Sequence, residues 1–274
     1  MCCSTRITPR SLPIKELLGK YELVEQIEDN GRTVIYRALD MDAQRPVLLK
    51  LLPPHRRNEE NLARLQREAE TLQTLDQPRI PRLYEMGQID DYRYIATEYV
   101  EGKSIAELLK GRRRAPFDLE TTLVIAEKVA EVLDAAHAVG VIHGNLRPEN
   151  ILVTTDRDVR VLGFGEADLF AGVGEDIAPD QSRYMAPEQF EGKEPDHLAD
   201  LYALGVILYE MLTGTPPFDA SLRTTLMYSV LRGGTRPPSL LNPQLTEEID
   251  AVILQAMARN KEERFSSGQA LVEA

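Results

Sequence analysis

The hydrophobic pattern of this chain changes from strand-like to helical near Gly102, and this change restricts the fold more than any other feature. Short runs rich in β-branched and aromatic residues come first: YELVEQI, RTVIYRAL and RPVLLKLL, separated by the turn sequences DNG and DAQRP. Two more such runs, PRLYEMGQI and YRYIATEYV, follow before Gly102. Together they predict a small five-stranded, mostly antiparallel sheet.

One helix is predicted within this strand-like part. The run NEENLARLQREAETLQTL places apolar residues three and four positions apart, which is the spacing of one helix face. These residues are Leu62, Leu65, Ala69, Leu72 and Leu75. The first part of the chain is therefore predicted to be a sheet that carries one amphipathic helix.

The part after Gly102 is predicted to be mainly helical. FDLETTLVIAEKVAEVLDAAHAVG begins with Asp118, a helix-capping residue type, and ends at Gly140. LADLYALGVILYEMLTG is apolar nearly all round, which is typical of a buried helix in a larger lobe. We therefore predict an α+β fold: a flexible leader at 1–19, then one domain at 20–274, with a small lobe at about 20–101 and a larger lobe at about 102–274.

Composition excludes several classes of function. The net charge of −12 argues against nucleic acid or an anionic membrane as the main partner. No apolar run is long enough to span a membrane. The only cysteines, Cys2 and Cys3, are adjacent and cannot form a disulfide framework, which favours a reducing, cytoplasmic location. The basic run KGRRRAP has two interpretations, a solvated surface loop, which we favour, or a partner-binding patch.

A small β-rich lobe followed by a helical lobe, with a chemistry-like loop HGNLRPEN at the junction, is similar to the eukaryotic-like protein kinase family. The chain most closely resembles the bacterial serine/threonine kinases, through HGNLRPEN, TEYVEG, GFG, RYMAPEQF and DLYALG. The resemblance covers about residues 20–274, and it implies a bilobal protein-kinase-like fold.

The resemblance also implies a nucleotide site. Lys50 would hold the phosphates and Glu68 would orient that lysine through an ion pair. Thr97 would stand at the gatekeeper position. The further nucleotide-binding candidates are the hinge residues Glu98 and Val100, Asn150, and Leu152 as the floor of the adenine site.

The same resemblance implies architectural roles for a second set of residues. Glu188 should pair with Arg264, and Asp200 should cap the backbone of the loop around His143. A hydrophobic stack should tie the lobes together, and its members are Leu72, Leu83, His143 and Phe164.

The residues that carry phosphoryl transfer in this family are replaced. Asn145 stands where the family has the aspartate that accepts the substrate proton, and Arg147 stands in place of a lysine. Gly163 of GFG replaces the aspartate that binds magnesium, which leaves Asn150 as a weak metal ligand on its own. Further replacements are Gly144 and Gln181, and the phosphate-loop glycines have become Glu28, Asn30 and Thr33.

These losses predict a catalytically inactive pseudokinase that acts as a protein-interaction or allosteric regulatory module. Its partner would be a protein, such as an active kinase or signalling protein, and it would require no metal or cofactor. Two alternatives remain open: a weakly active or unorthodox ATP-dependent serine/threonine kinase, in which Glu166 or Asp168 reaches the metal, and a sensor that binds ATP or another nucleotide weakly without magnesium. Leu48, at the roof of the adenine site, argues against tight nucleotide binding.

Overall fold

The computed structural model describes residues 16–166 and 182–274. Its strands are β1 (Glu16–Leu18), β2 (Tyr21–Asp29), β3 (Val34–Asp40), β4 (Arg45–Leu52), β5 (Leu83–Ile89), β6 (Tyr92–Glu98), β7 (Gly102–Ser104), β8 (Ile151–Thr154) and β9 (Val159–Val161). Its α-helices are α1 (Glu59–Thr74), α2 (Ile105–Gly111), α3 (Leu119–Ala138), α4 (Pro187–Phe190), α5 (His197–Thr213), α6 (Arg223–Arg232), α7 (Glu247–Ala256) and α8 (Gly268–Glu273). This composition confirms the predicted α+β class.

The larger sheet has one strand more than the predicted five. Its order is β1-β2-β3-β4-β6-β5, and all neighbouring pairs are antiparallel. The added strand is β1, which pairs with β2 through Leu18 opposite Tyr21 and lies within the range predicted as a leader. A strand of three residues is too short to show an alternating pattern, so it could not be predicted from the local sequence.

Helix α1 has the predicted amphipathic face. Leu65 and Ala69 are buried, and the other predicted apolar positions are half-buried, whereas Gln66 and Arg67 are exposed. By compactness the chain divides into two units, and the division falls within α1. The first unit contains residues up to Gln66 together with Arg82–Tyr99, and the second contains Arg67–Pro81 and Val100–Ala274.

The second unit is built around α5, the predicted buried helix. Every residue of α5 from Ala199 onward is buried, which confirms the prediction. The helix begins at the cap Asp196, whose side chain accepts a hydrogen bond from the N–H of Leu198, and ends at Gly214, which has a φ of +77°. Helix α3 packs beside it and is capped by Asp118, as its sequence predicted.

A small sheet of order β7-β8-β9 positions the loop that carries HGNLRPEN. The loop occupies the stretch between the end of α3 and the start of β8, and its last residues, Pro148–Asn150, form a single 3-10 turn. The GFG segment, which begins at Gly163, follows directly after β9. Both candidate chemical segments of the second unit are thus attached to this small sheet.

Candidate functional site

The loop at residues 141–150 takes its shape from a buried carboxylate on α5. Asp200 is 1% exposed, and it accepts hydrogen bonds from the backbone N–H groups of His143 at 2.9 Å and Gly144 at 2.7 Å. The same carboxylate lies 2.8 Å from Nε2 of His137 on α3. Because a buried polar group left unpaired costs about 1–3 kcal/mol, this shared acceptor holds the loop backbone against both helices.

His143 is fully buried, and burial lowers its pKa although the Asp200 carboxylate acts in the opposite direction. Its Nε2 lies 2.7 Å from the carbonyl oxygen of Leu162, which can only accept, so Nε2 carries the proton. Nδ1 is then free to accept from the N–H of Asn145 at 3.3 Å. The imidazole is therefore neutral and serves as a structural link between the loop and β9.

The predicted hydrophobic stack is partly visible within the second unit. The rings of His143 and Phe164 lie with their centroids 4.6 Å apart, and Leu72 packs against the core cluster that contains Phe164. Leu83 belongs to the first unit, so its place in the stack stays a prediction.

Asn145 occupies the position where the family has its proton acceptor. It is half-buried, its N–H points to His143, and its carbonyl oxygen accepts from Nδ2 of Asn150 at 3.0 Å. An amide side chain has no titratable proton in the physiological range, so it cannot take a proton from a hydroxyl nucleophile. The loop therefore keeps its backbone contacts without a general base.

Gly163 is held tightly beside Asn150. Its φ is +87°, a region that side chains other than glycine rarely adopt. A Cβ atom at this position would lie 2.8 Å from Nδ2 of Asn150 and 3.5 Å from Cε1 of His143. The Asn150 amide thus lies against the position where a side chain of residue 163 would begin.

The residues at this place do not fit a magnesium ion. Magnesium prefers carboxylate oxygens in octahedral geometry, whereas Gly163 supplies no side-chain oxygen at all. Within residues 16–166 and 182–274, no group of three or more His, Cys, Asp or Glu is arranged to hold a metal ion. Asn150 alone offers one amide oxygen.

The turn between β2 and β3, where the family has its glycine-rich loop, is capped by its own side chains. Oδ1 of Asn30 accepts from the N–H groups of Arg32 at 3.0 Å and Thr33 at 2.8 Å. Oδ1 of Asp29 accepts from the N–H of Gly31 at 2.9 Å. Backbone N–H groups are what a phosphate-binding loop offers to its ligand, and here they are already used.

Asp29 is held in turn by Arg56, which follows β4. The guanidinium donates to both carboxylate oxygens, at 2.6 and 3.0 Å, and this pairing lowers the pKa of Asp29. A bidentate pair of this kind fixes the direction of the carboxylate. The turn therefore carries a carboxylate at the place where a phosphate-binding loop would leave space for the phosphate of its ligand.

The remaining nucleotide candidates are divided between the two units. Lys50, which is 7% exposed, lies in β4, and Thr97 is buried in β6. Glu98 donates its N–H to Arg82 at 2.8 Å within the same unit. Glu68, Val100, Asn150 and Leu152 belong to the second unit. The ion pair of Lys50 with Glu68 and the adenine site therefore stay predictions.

Gly165 of GFG packs against Glu68 within the second unit. Gly165 has a φ of +84°, and a Cβ there would lie 2.7 Å from Cα of Glu68 and 3.1 Å from Cβ of Thr71. The segment after Phe164 therefore packs directly on the C-terminal half of α1.

The second unit also contains a buried ion pair. Arg264 donates to both carboxylate oxygens of Glu188 at 2.7 and 2.8 Å, and also to the carbonyl oxygens of Ala258 and Leu198. Both side chains of the pair are nearly inaccessible to solvent. The extra bonds satisfy the guanidinium, which is what a buried ion pair requires.

Sequence reasoning missed one contact that supports the loop from α4. Gln189 donates from Nε2 to the carbonyl oxygen of Gly144 at 3.1 Å, while its Oε1 accepts from the N–H of Ala186 at 2.8 Å. Gly144 has a φ of +68°, a conformation that glycine adopts without strain. The position of Gln189 directly after APE was the available signal. Gln181 and Asp168 lie outside the described residues.

Arg147 lies beside Glu149. Its Nε lies 3.9 Å from the carboxylate of Glu149, at the limit of an ion pair, and its side chain is 24% exposed. It keeps a positive charge near the loop, without the point charge of a lysine ammonium.

Known proteins are similar to this chain in sequence. The protein kinase domain family matches residues 21–274. The chain is 32% identical over 264 residues to the probable serine/threonine-protein kinase CPE1738 of Clostridium perfringens, covering 94% of this chain and 38% of that protein. It is 36% identical over 254 residues to the serine/threonine-protein kinase PknD of Mycobacterium tuberculosis, covering 91% of this chain and 38% of that protein. It thus spans about two fifths of the length of these relatives.

Solved structures agree with the sequence relatives. The kinase domain of Mycobacterium tuberculosis PknI matches with a TM-score of 0.72 at 26% identity, covering 94% of this chain and 96% of that one. This match confirms the predicted bilobal kinase-like fold. None of the helices formed by residues 16–166 and 182–274 combines the length and the apolar character needed to cross a membrane. On the agreement of family, relatives and fold, the chain belongs to the protein kinase family and is related to the bacterial serine/threonine kinases.

Proposed function

We propose that this kinase domain transfers no phosphoryl group and acts as a protein-interaction or allosteric module. The observation that carries the proposal is the packing of Gly163 against the Asn150 amide, with 2.8 Å between Nδ2 and a Cβ at residue 163. The carboxylate that would neutralise the transferring phosphoryl group through magnesium is missing there. This electrostatic contribution is usually the largest in such chemistry.

Two further losses support the same proposal. Asn145 removes a general base, which contributes roughly a hundredfold to ten-thousandfold in rate. The β2–β3 turn uses the N–H groups of Gly31, Arg32 and Thr33 for its own side chains. An active enzyme would need substitutes for the metal ligand, the base and the phosphate loop at the same time.

The supports of the fold are retained in the same unit. Asp200 holds the loop at residues 141–150, and Glu188 is paired with Arg264. A domain that keeps these buried polar contacts can present a well-defined surface to a protein partner. We propose a protein as its ligand, with no metal or cofactor required.

A nucleotide sensor is the second candidate, favoured by one observation. Lys50 is a cation at 7% exposure in β4, and a lysine so buried is retained only where it has polar partners. A nucleotide bound without magnesium would contact this positive charge, and no phosphoryl group would be transferred. An unorthodox kinase that uses Glu166 is the remaining alternative.

The test of inactivity is incubation of the purified chain with labelled ATP and either magnesium or manganese, with itself and a generic protein as acceptors. We expect no incorporated label above that of the Lys50→Ala variant. Transfer that is present in the native chain and lost in Lys50→Ala would overturn the proposal.

The test that separates the module from the sensor is a thermal titration with ATP, with and without magnesium. The module is expected to show no change of melting temperature at millimolar nucleotide, because a ligand that binds the native state must raise it. A magnesium-independent rise that Lys50→Ala removes would select the sensor.

A further inference from the structure

The basic run KGRRR at residues 110–114 comprises the last two residues of α2 and the turn after it, called the loop below, and its side chains are exposed. We propose that this loop, together with the start of α3, is the docking site for an acidic, leucine-containing segment of a protein partner. This inference rests on the proposed function, because it names a surface and a ligand chemistry for the interaction module.

The four cations of the basic run are exposed. Within residues 16–166 and 182–274, none of the four forms an ion pair with a carboxylate. The only side chain of the group with polar contacts is Arg112, which donates to the carbonyl oxygens of Ala115 and Pro116. The four cations are Lys110, Arg112, Arg113 and Arg114. Four neighbouring charges that are not neutralised create a local positive field in a chain of net charge −12.

The loop has a fixed backbone, although it lies at the surface. Arg113 and Arg114 both adopt left-handed conformations, with φ of 55° and 62°. Such conformations are costly for residues with a Cβ and persist where surrounding bonds enforce them. The N–H of Arg114 donates to Leu109 at 2.8 Å, and the N–H of Ala115 donates to Arg112 at 3.0 Å. The charges are therefore presented in a preorganised arrangement, which reduces the entropic cost of binding.

The buried helix α5 supports the loop from beneath. A Cβ on Gly214, the residue that ends α5, would lie 1.8 Å from the carbonyl oxygen of Arg114. The N–H of Phe117 donates to Met211 of α5 at 2.8 Å, and the Arg112 guanidinium lies 4.9 Å from the Phe117 ring centroid. The loop thus rests on the most buried helix of the unit.

Asp118 and Glu210, the two carboxylates on which Arg112 and Arg114 act electrostatically, also serve other groups. Asp118 accepts from the N–H of Thr121 at 2.7 Å as the cap of α3. Glu210 accepts from the Tyr184 hydroxyl at 2.6 Å, and burial raises its pKa while Tyr184 and Arg114 act in the opposite direction. These carboxylates have structural roles, so the outer face of the loop stays positive.

Apolar residues continue the surface along the first turns of α3. Leu119, Leu123 and Val124 are 37%, 45% and 45% exposed. Leu119 and Leu123 are four positions apart and so share one helix face. Arg112 connects this face to the loop, since it contacts Pro116 and Phe117 just before α3. A ligand with both carboxylates and apolar side chains matches this combination.

Charge complementarity selects an acidic protein segment over a membrane. Four cations on a chain of net charge −12 make a patch of peptide size, while a lipid surface would also meet the acidic remainder of the protein. Adjacent leucines at helical spacing favour an amphipathic segment of a partner.

The test uses a fluorescein-labelled peptide of glutamate and leucine residues, with leucines four positions apart, read by fluorescence anisotropy without nucleotide. We expect saturable binding that weakens more than about tenfold between about 50 and 500 mM salt, because exposed charges are screened. A lysine and leucine peptide should not bind. A glutamate and serine peptide should bind about fivefold more weakly, since it lacks the apolar contact.

The diagnostic variant is Arg113→Asn with Arg114→Asn. Asparagine tolerates the left-handed conformation better than most residues, so the loop keeps its shape and loses its charge. The peptide affinity should fall about fivefold to thirtyfold, the upper part of the range expected for two lost surface charge pairs. The matched control is Arg57→Asn with Arg232→Asn, which removes two exposed arginines elsewhere and should change affinity less than about twofold.

Equal weakening in both double variants would show that binding follows net charge only, and would overturn the docking site. Sedimentation with phosphatidylserine vesicles that depends on Arg113 and Arg114, without peptide binding, would replace the protein partner with a membrane. Absence of peptide binding in a chain that also lacks phosphotransfer would reject this surface and leave the proposed function standing.

Discussion

The loop at residues 141–150 and the β2–β3 turn differ in where the acceptors of their backbone N–H groups lie. In the loop the main support comes from outside, since Asp200 on α5 and Gln189 on α4 bind its backbone. The turn is fixed by its own residues, since Asp29 and Asn30 accept from the N–H groups that follow them.

This difference shows how a kinase fold can lose its chemistry in two ways. A loop whose shape is set from outside can exchange Asn145 for an aspartate with little change of structure, because Asn145 does not maintain the shape. A turn that is capped from within must give up its caps before its N–H groups can bind a phosphate. Under the proposed function, the loss of catalysis would therefore leave the structure of the loop unchanged, whereas at the turn it would be part of the structure itself.

The largest expected effect tests the external support of the loop. Asp200→Ala leaves the N–H groups of His143 and Gly144 buried without an acceptor, and we expect a loss of about 3–5 kcal/mol in the free energy of unfolding. Urea unfolding measures it. The control is Asp134→Ala, whose carboxylate accepts from Gly268 and Gln269 at the start of α8, nearer the surface. It should cost about 1 kcal/mol, as helix caps do. Equal losses would remove the distinction.

Gly163→Ala tests whether the missing carboxylate position has been closed by packing. We expect a loss of about 2–3 kcal/mol, because the backbone has a positive φ and the new Cβ meets the Asn150 amide. Gly140→Ala is the matched control, since Gly140 has a φ of +77° with nothing within 4 Å. That variant should lose only about 1 kcal/mol. Thermal unfolding of the pair isolates the steric contribution, which would be absent if the two losses agree.

The internal support of the turn is tested by Asp29→Ala combined with Asn30→Ala. We expect a loss of about 1–2 kcal/mol, the size of lost side-chain caps at a turn. Hydrogen exchange should become faster at the amides of Gly31, Arg32 and Thr33, while the amide of His143 keeps its protection. Unchanged exchange at the turn would show that these side chains do not hold it.

The smallest effect is expected for Asn145→Asp. The side chain of Asn145 makes no hydrogen bond within residues 16–166 and 182–274, so the free energy of unfolding should change by less than about 0.5 kcal/mol. Phosphotransfer should stay absent with magnesium and with manganese, because the metal ligand is still missing. A gain of activity from this substitution alone would contradict the hypothesis that the base, the metal ligand and the phosphate loop have been lost together.

Local signals made much of the fold predictable. Asp118 caps the start of α3, and Gly140 follows the C-cap Val139 with a φ of +77°. The apolar pattern of α5 predicted a helix that is buried from Ala199 onward. The strand β1 was missed because a three-residue strand has no pattern of its own. Its pairing depends on the neighbouring strand, which a local pattern does not contain.

The candidate site, like the fold, could be predicted only in part from the sequence. The sequence predicts Gly163 to be a lost metal ligand, since glycine has no side-chain oxygen, and this stays a prediction. It could not reveal that the Asn150 amide lies against it, because this contact depends on how the loop and β9 meet. The pair of Asp29 with Arg56 joins residues 27 positions apart, and many other carboxylates were equally available to that arginine.

The packing at Gly163 also determines how readily the domain could regain activity by mutation. A single change to aspartate would not recreate a metal site, because the new side chain would meet Nδ2 of Asn150, which is bonded to the Asn145 carbonyl. Residue 150 would have to rotate and give up that bond in the same step. Under the proposed function, we expect the single-substitution intermediates to be less stable and to gain no activity, so that a return to activity would need several substitutions together.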